Sequence, residues 1–145
     1  MSVEKVRLFR RGEVKLQDLV EALRPLAERG GCGAVVAFNG LVRSEGHDGS
    51  RVLKLAYEAY EEAALRSLAE VRRRVMDGNP GVEEVLIYHV VGDVQPGEDT
   101  VLIAVAARHR HEAFRAAEEA LEAVKREAAI WKKEVTERGE GWVSG

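Results

Sequence analysis

Val82-Glu83-Glu84-Val85-Leu86-Ile87-Tyr88-His89-Val90-Val91 and Thr100-Val101-Leu102-Ile103-Ala104-Val105-Ala106-Ala107 are two β-rich runs joined by Gly92-Asp93-Val94-Gln95-Pro96-Gly97-Glu98-Asp99. Pro96-Gly97 are favoured central residues of a type II turn: proline presets φ at the first, and glycine accepts the positive φ of the second. The runs are therefore expected to pair antiparallel. Strands and helices follow one another here without strict βαβ alternation. That order indicates an α+β fold rather than a doubly wound parallel sheet.

Upstream, Ala64, Leu68, Val71 and Val75 recur at helical spacing from Glu61, and Asp77-Gly78-Asn79-Pro80-Gly81 ends that helix. Before it, Val52, Leu53, Leu55, Tyr57 and Tyr60 suggest a strand returning antiparallel to Ala34-Val35-Val36-Ala37-Phe38. The latter is a glycine-bounded apolar run of the kind covered on both faces. It continues through Asn39-Gly40-Leu41-Val42-Arg43 into a polar, glycine-rich loop, Ser44 to Ser50, expected to be mobile. Leu16, Leu19, Val20, Leu23, Leu26 and Ala27 mark an amphipathic helix over residues 15–29, with Pro25 bending its last turn and Gly30-Gly31 closing it. Val3, Val6 and Leu8 open the chain as a short strand. Downstream, Phe114, Ala117, Leu121, Val124 and Ala128 place an apolar face on a third helix, whose pattern is lost at Ile130-Trp131. Trp131 to Val135 then reads as extended. There is no repeat, linker or low-complexity tail, and residues 1–145 are expected to form a single domain.

With 46% apolar and 32% charged residues, the composition is that of an ordinary soluble globular protein. No apolar run approaches the roughly 20 residues needed to span a bilayer, and the N-terminus lacks the apolar core of a signal peptide. The single cysteine, Cys32, rules out an intrachain disulfide framework and fits a reducing compartment, so a cytoplasmic location is expected. Cys32 reads as a small buried residue. With His47, His89, His109 and His111 it makes no structural zinc spacing, so no metal is expected. Neither a dinucleotide fingerprint nor a nucleotide-phosphate loop is present, and no cofactor is expected. Gly30-Gly31-Cys32-Gly33 precedes a strand, the wrong context for a phosphate cradle. A net charge of −3 argues against a general nucleic-acid binder. Only 6% aromatics weighs against a sheet that stacks single-stranded RNA.

The cations are unevenly placed. Arg43 closes a strand before a flexible loop, as a surface charge or as a ligand-binding group. Arg108-His109-Arg110-His111 sits where strand becomes helix. Cations oppose the helix dipole there, so they are either solvated charge or part of an anion site. Lys125 lies at the edge of the buried stripe of its helix, and Lys132 follows Trp131 in extended chain, where neighbours alternate faces. Solvated charge or a cleft accounts for either lysine. Together these groups suit a small anionic ligand or an acidic protein partner.

Several ordered blocks resemble the large, catalytic subunits of molybdopterin synthase. They are Gly33 to Arg43, Leu55-Ala56-Tyr57-Glu58-Ala59-Tyr60, His89-Val90-Val91-Gly92, Pro96-Gly97-Glu98, His109-Arg110 before Ala113-Phe114, and Lys125 with Trp131-Lys132-Lys133-Glu134. The resemblance covers Gly33 to Val143. It implies an α+β fold of the α/β-hammerhead type with an additional antiparallel sheet, assembled as a homodimer. It also implies a small ubiquitin-like sulfur-carrier partner with a C-terminal Gly-Gly thiocarboxylate, the whole forming a heterotetramer with two carriers. The implied activity is sulfurtransferase: cyclic pyranopterin monophosphate becomes molybdopterin, in molybdenum cofactor biosynthesis. By motif position, Lys125 and Lys132 are the implied catalytic lysines, and Phe38, Arg43, His109 and Arg110 the implied substrate-binding residues. Asn39 and Leu41 depart from the pattern beside the strand motif, and Arg108 and His111 enlarge the basic cluster. A non-catalytic dimeric scaffold that docks a ubiquitin-like carrier tail is the alternative.

Overall fold

The computed structural model describes residues 3–143. Strands β1 (Val6–Phe9), β2 (Ala34–Leu41), β4 (Val82–Val90) and β6 (Asp99–Ala107) form one sheet in the order β1-β4-β6-β2. Within it β1 runs parallel to β4, while β4–β6 and β6–β2 are antiparallel. The expected turn is present: Gly97 has φ +88°, and the Glu98 N–H donates to the Gln95 carbonyl at 3.0 Å. Apolar content is continuous along β4 and β6 because both faces are covered. Val85, Ile87, Ile103 and Val105 pack beneath helices α3 (Glu61–Gly78) and α4 (Arg110–Glu127). Leu86, Tyr88, Val90, Leu102, Ala104 and Ala106 meet α1 (Leu16–Ala22) and residues of a second sheet.

That second sheet is antiparallel, in the order β5-β3-β7-β8, from β3 (Val52–Ala59), β5 (Gly92–Val94), β7 (Ile130–Thr136) and β8 (Gly139–Val143). The α+β class and the additional antiparallel sheet stand as expected. The pairing of the two early strands does not. β3 pairs with β5 and β7, and β2 pairs with β6. The segment between β2 and β3 is too long for a tight hairpin. It closes on itself through a Glu45–Arg51 bridge and the 2.8 Å bonds Gly46 N–H to Ser50 O and Val52 N–H to Ser44 O. This loop is tied down, not loose.

Two further expectations are corrected. The helix over residues 15–29 is two pieces, α1 and α2 (Arg24–Glu28), broken at Leu23, with Pro25 in the first turn of α2 where its missing N–H costs nothing. On α4 the buried stripe is Ala113, Ala116, Ala117, Ala120, Ala123 and Val124, while Phe114 is 63% exposed. Alanines let the helix axis lie close to the sheet, so the small residues choose the phase and the large aromatic is turned outward. Asn79, buried after α3, donates to Val75 O and Glu119 Oε2 and accepts from Arg115 Nε at 2.8 Å. It ends α3 and ties it to α4. Cys32 is partly buried, its thiol donating to the Ala34 carbonyl.

Candidate functional site

A cavity of about 440 Å³ opens where the two sheets and the C-terminal end of α4 meet. Each wall follows from a local periodicity. The end of β2 brings Phe38 and Gly40, and the segment after it brings Arg43. A Cβ at Gly40 would stand 2.6 Å from Thr100 Oγ1, so glycine is what lets β2 pass this close to β6. The last turns of α4 bring Leu121, Val124 and Lys125, spaced three and four residues from Leu121 and so on one face of the helix. Period-two alternation on β7 turns Ile130, Lys132 and Glu134 inward. It turns Trp131 outward, half-exposed and edge-on to Tyr60 at 6.1 Å between ring centroids. The expected alternation of Trp131 and Lys132 is real, with the lysine on the inner side.

Phe38, Arg43, Lys125 and Lys132 therefore share one cavity. Among the described residues none of its three cations has a salt-bridge partner, whereas the neighbouring Lys133 pairs with Glu140 at 3.6 Å and lies over the Trp142 ring. Burial lowers the Lys132 pKa below the ordinary lysine value; Glu134 opposes this, and Lys125 and Arg43 reinforce it. Glu134 accepts from His47 through both the backbone N–H (3.3 Å) and Nδ1 (3.1 Å), which clips the β2–β3 loop to the rim. Three convergent cations with no salt bridge among the described residues, against Glu45 and Glu134 on the same lining, leave the cavity with a surplus of positive charge suited to an anion.

His109 and Arg110 are not in this cavity. They start α4, and Lys125 lies near its other end, roughly 22 Å along the axis at 1.5 Å per residue. Within one chain they do not line the same pocket, so the six residues do not all meet inside a single chain. Part of the basic cluster is locally paired: His109 Nδ1 with Glu112 Oε1 at 3.1 Å, and Arg108 with Glu83 at 3.6 Å. Arg110 and His111 are exposed and have no ion pair among the described residues.

The floor of the cavity holds polar residues to which the sequence reading assigned no role: Tyr57, His89 and Thr100. Tyr57 sits opposite Lys132 in register, and its ring meets His89 edge-on at 5.1 Å. Burial pushes the Tyr57 pKa up to about 12, so the hydroxyl stays protonated. His89 is 8% exposed, with Nδ1 2.8 Å from the Val90 carbonyl. Burial pulls its pKa from 6.5 down to about 4, a fall that the Val90 bond opposes and Lys132 reinforces. The signal was a histidine inside an otherwise apolar strand.

Acid stability follows from that shift. Between pH 6.5 and 4 the unfolded chain binds a proton on His89 that the folded chain refuses, so stability falls as pH drops through this window. The loss attributable to His89 approaches about 3 kcal/mol. Urea unfolding of the parent and of His89→Gln, at pH 7 and pH 4, should show the smaller acid loss in the variant. Equal losses would place His89 in contact with bulk water.

The family model described as MoaE protein matches residues 10–127. A molybdopterin synthase catalytic subunit of Pyrococcus abyssi is 37% identical over all of this chain and 95% of its own length. Molybdopterin synthase catalytic subunit 1 of Mycobacterium tuberculosis is 42% identical over 77% of this chain and 74% of its own. The crystal structure of molybdopterin synthase from Staphylococcus aureus superposes with a TM-score of 0.84 at 33% identity, covering 99% of this chain and 100% of the other. Its architecture is thus the one seen here, and the cavity-forming elements from β2 to the end of α4 fall within the matched residues. The chain belongs to the MoaE protein family.

Proposed function

We propose that this chain is the catalytic subunit of a molybdopterin synthase, moving sulfur from the C-terminal thiocarboxylate of a small ubiquitin-like carrier onto cyclic pyranopterin monophosphate. The observation that carries this reading is the convergence of Arg43, Lys125 and Lys132, without salt-bridge partners among the described residues, on one cavity with an apolar wall. Its volume is in the range of small-molecule sites. Phe38, Val101, Leu121 and Val124 accept the flat face of a heterocycle, and Arg43 holds the cyclic phosphate by charge-assisted bonds. Lys125, exposed at the mouth, steers the anionic thiocarboxylate and exchanges protons as sulfur adds to the pterin side chain. Lys132, deeper and partly desolvated, stabilises negative charge as the carrier's acyl group is transferred and its thioester hydrolysed. The carrier supplies the sulfur, so a reactive cysteine is not required, in keeping with a partly buried Cys32.

The relatives' designation as catalytic subunits supports a partner subunit. His109 and Arg110 enter the reading through a second copy. Standing at the far end of α4, they reach a cavity only on another protomer. A homodimer with a carrier on each copy, a heterotetramer in the cytoplasm, completes the proposal.

The test is reconstitution. Incubation of this chain with thiocarboxylated carrier and the pterin precursor should yield dithiolene product and carboxylate-ended carrier. Tight carrier binding with no product would leave the non-catalytic scaffold.

A further inference from the structure

Within the cavity, the cations and the polar floor are chemically different sites. Arg43, Lys125 and Lys132 recognise negative charge. Tyr57, His89 and Thr100 carry none: the tyrosine stays protonated and the imidazole stays neutral. His89 is also committed to one tautomer. Its Nδ1 lies 2.8 Å from the Val90 carbonyl, which has no proton to give, so Nδ1–H is the donor and Nε2 carries a lone pair. Nε2 has no protein partner among the described residues, yet no buried side-chain nitrogen or oxygen there lacks one. Nε2 is therefore open to the cavity that His89 lines. The Tyr57 ring packs edge-on against the imidazole, 5.1 Å between centroids.

We propose that His89 is a substrate-positioning residue whose Nε2 accepts a hydrogen bond from a ring N–H of the bound pterin, placing the neutral heterocycle on the Tyr57–His89–Thr100 floor while the cations hold the anionic end. The inference rests on the sulfur-transfer reading and deepens it. It sets the ligand's direction in the cavity, and it makes His89 a determinant of specificity. A fixed, desolvated acceptor rejects a ring that offers no donor, because the lone pair is then left unsatisfied.

The test uses His89→Phe, which keeps a flat ring and removes the acceptor, and His89→Gln, which restores an acceptor oxygen near the same position. Three quantities are measured on each folded variant with the carrier present: KM and kcat for cyclic pyranopterin monophosphate, inhibition by inorganic phosphate, and affinity for the carrier. His89→Phe should raise KM at least tenfold and leave phosphate inhibition and carrier affinity within twofold, and His89→Gln should recover most of the KM loss. A general loosening of the cavity would instead move all three quantities together, and Gln would do no better than Phe. Either that result or an unchanged KM in His89→Phe overturns the proposal while leaving sulfur transfer intact. Failure of the unsubstituted protein to bind or convert the pterin would sink both readings together.

Discussion

Replacing Lys125 or Lys132 by alanine should cut dithiolene formation by at least about a hundredfold, the scale on which positioned proton-transfer and charge-stabilising groups act. The two losses differ in their side effects. Lys125 is exposed at the end of α4 and its removal leaves no hole, so unfolding and carrier binding should stay at the parent level. Lys132 is partly buried among Tyr57, Lys125 and Arg43, and its pKa is lowered. Between that lowered value and the ordinary one, the unfolded chain binds more protons than the folded chain. As pH falls through this window, the folded state takes on the cost of holding a desolvated ammonium. Lys132→Met should consequently raise stability at pH 7 while turnover collapses, a combination that a merely structural lysine does not give. The causes of the shift are separable by NMR of the lysine side chain. Lys125→Met and Arg43→Met remove neighbouring positive charge and should move the Lys132 titration to higher pH, and Glu134→Gln should move it lower. Near-normal turnover in either alanine variant would remove that lysine from the mechanism.

What was legible beforehand depended on how far apart in sequence the determinants lie. β4, β6 and the type II turn between them are written in consecutive residues, as are α3 and its Asn79-Pro80-Gly81 stop. The partner of β3 is not. β3 takes β7, more than seventy residues on, and Gly92–Val94, whose sequence reads only as a connection. Nothing local to Val52–Ala59 distinguishes that pairing from a return along β2. The α4 helix was legible in extent but not in rotation, because five alanines outvote one phenylalanine only once a sheet lies close enough to reward small side chains. The cavity shows the same division. Lys125 and Lys132 stood out through helix phase and strand alternation, and Arg43 through its place at a strand end. Tyr57, His89 and Thr100 come from three strands and become a floor only when the two sheets meet. His109-Arg110 looked like part of the same set because sequence order carries no statement of direction. α4 places them at its opposite end.

That separation yields the sharpest test of the assembly. If a second copy's His109 and Arg110 complete each cavity, Lys125→Ala and Arg110→Ala damage different halves of one site. Each variant alone should be nearly inactive, Lys125→Ala through chemistry and Arg110→Ala through a raised KM for the phosphate-bearing substrate. In a mixed dimer, the Arg110→Ala chain still contributes an intact Lys125, and the Lys125→Ala chain an intact Arg110. One of the two cavities is then fully equipped, and the other lacks both residues. Unfolding and refolding equal amounts together makes half the dimers mixed, each with one of two sites working, so about a quarter of the unsubstituted activity should return under isologous pairing. The refolded single variants serve as the baseline, and the carrier is supplied in excess so that its binding does not limit the rate. Recovery well above that baseline requires a site shared between protomers, since two chains that each held a private defective site would regain nothing on mixing. An unchanged baseline, with mixed dimers present by mass spectrometry, would confine the working site to residues of a single chain and leave Arg110 with no part in a neighbouring copy's cavity.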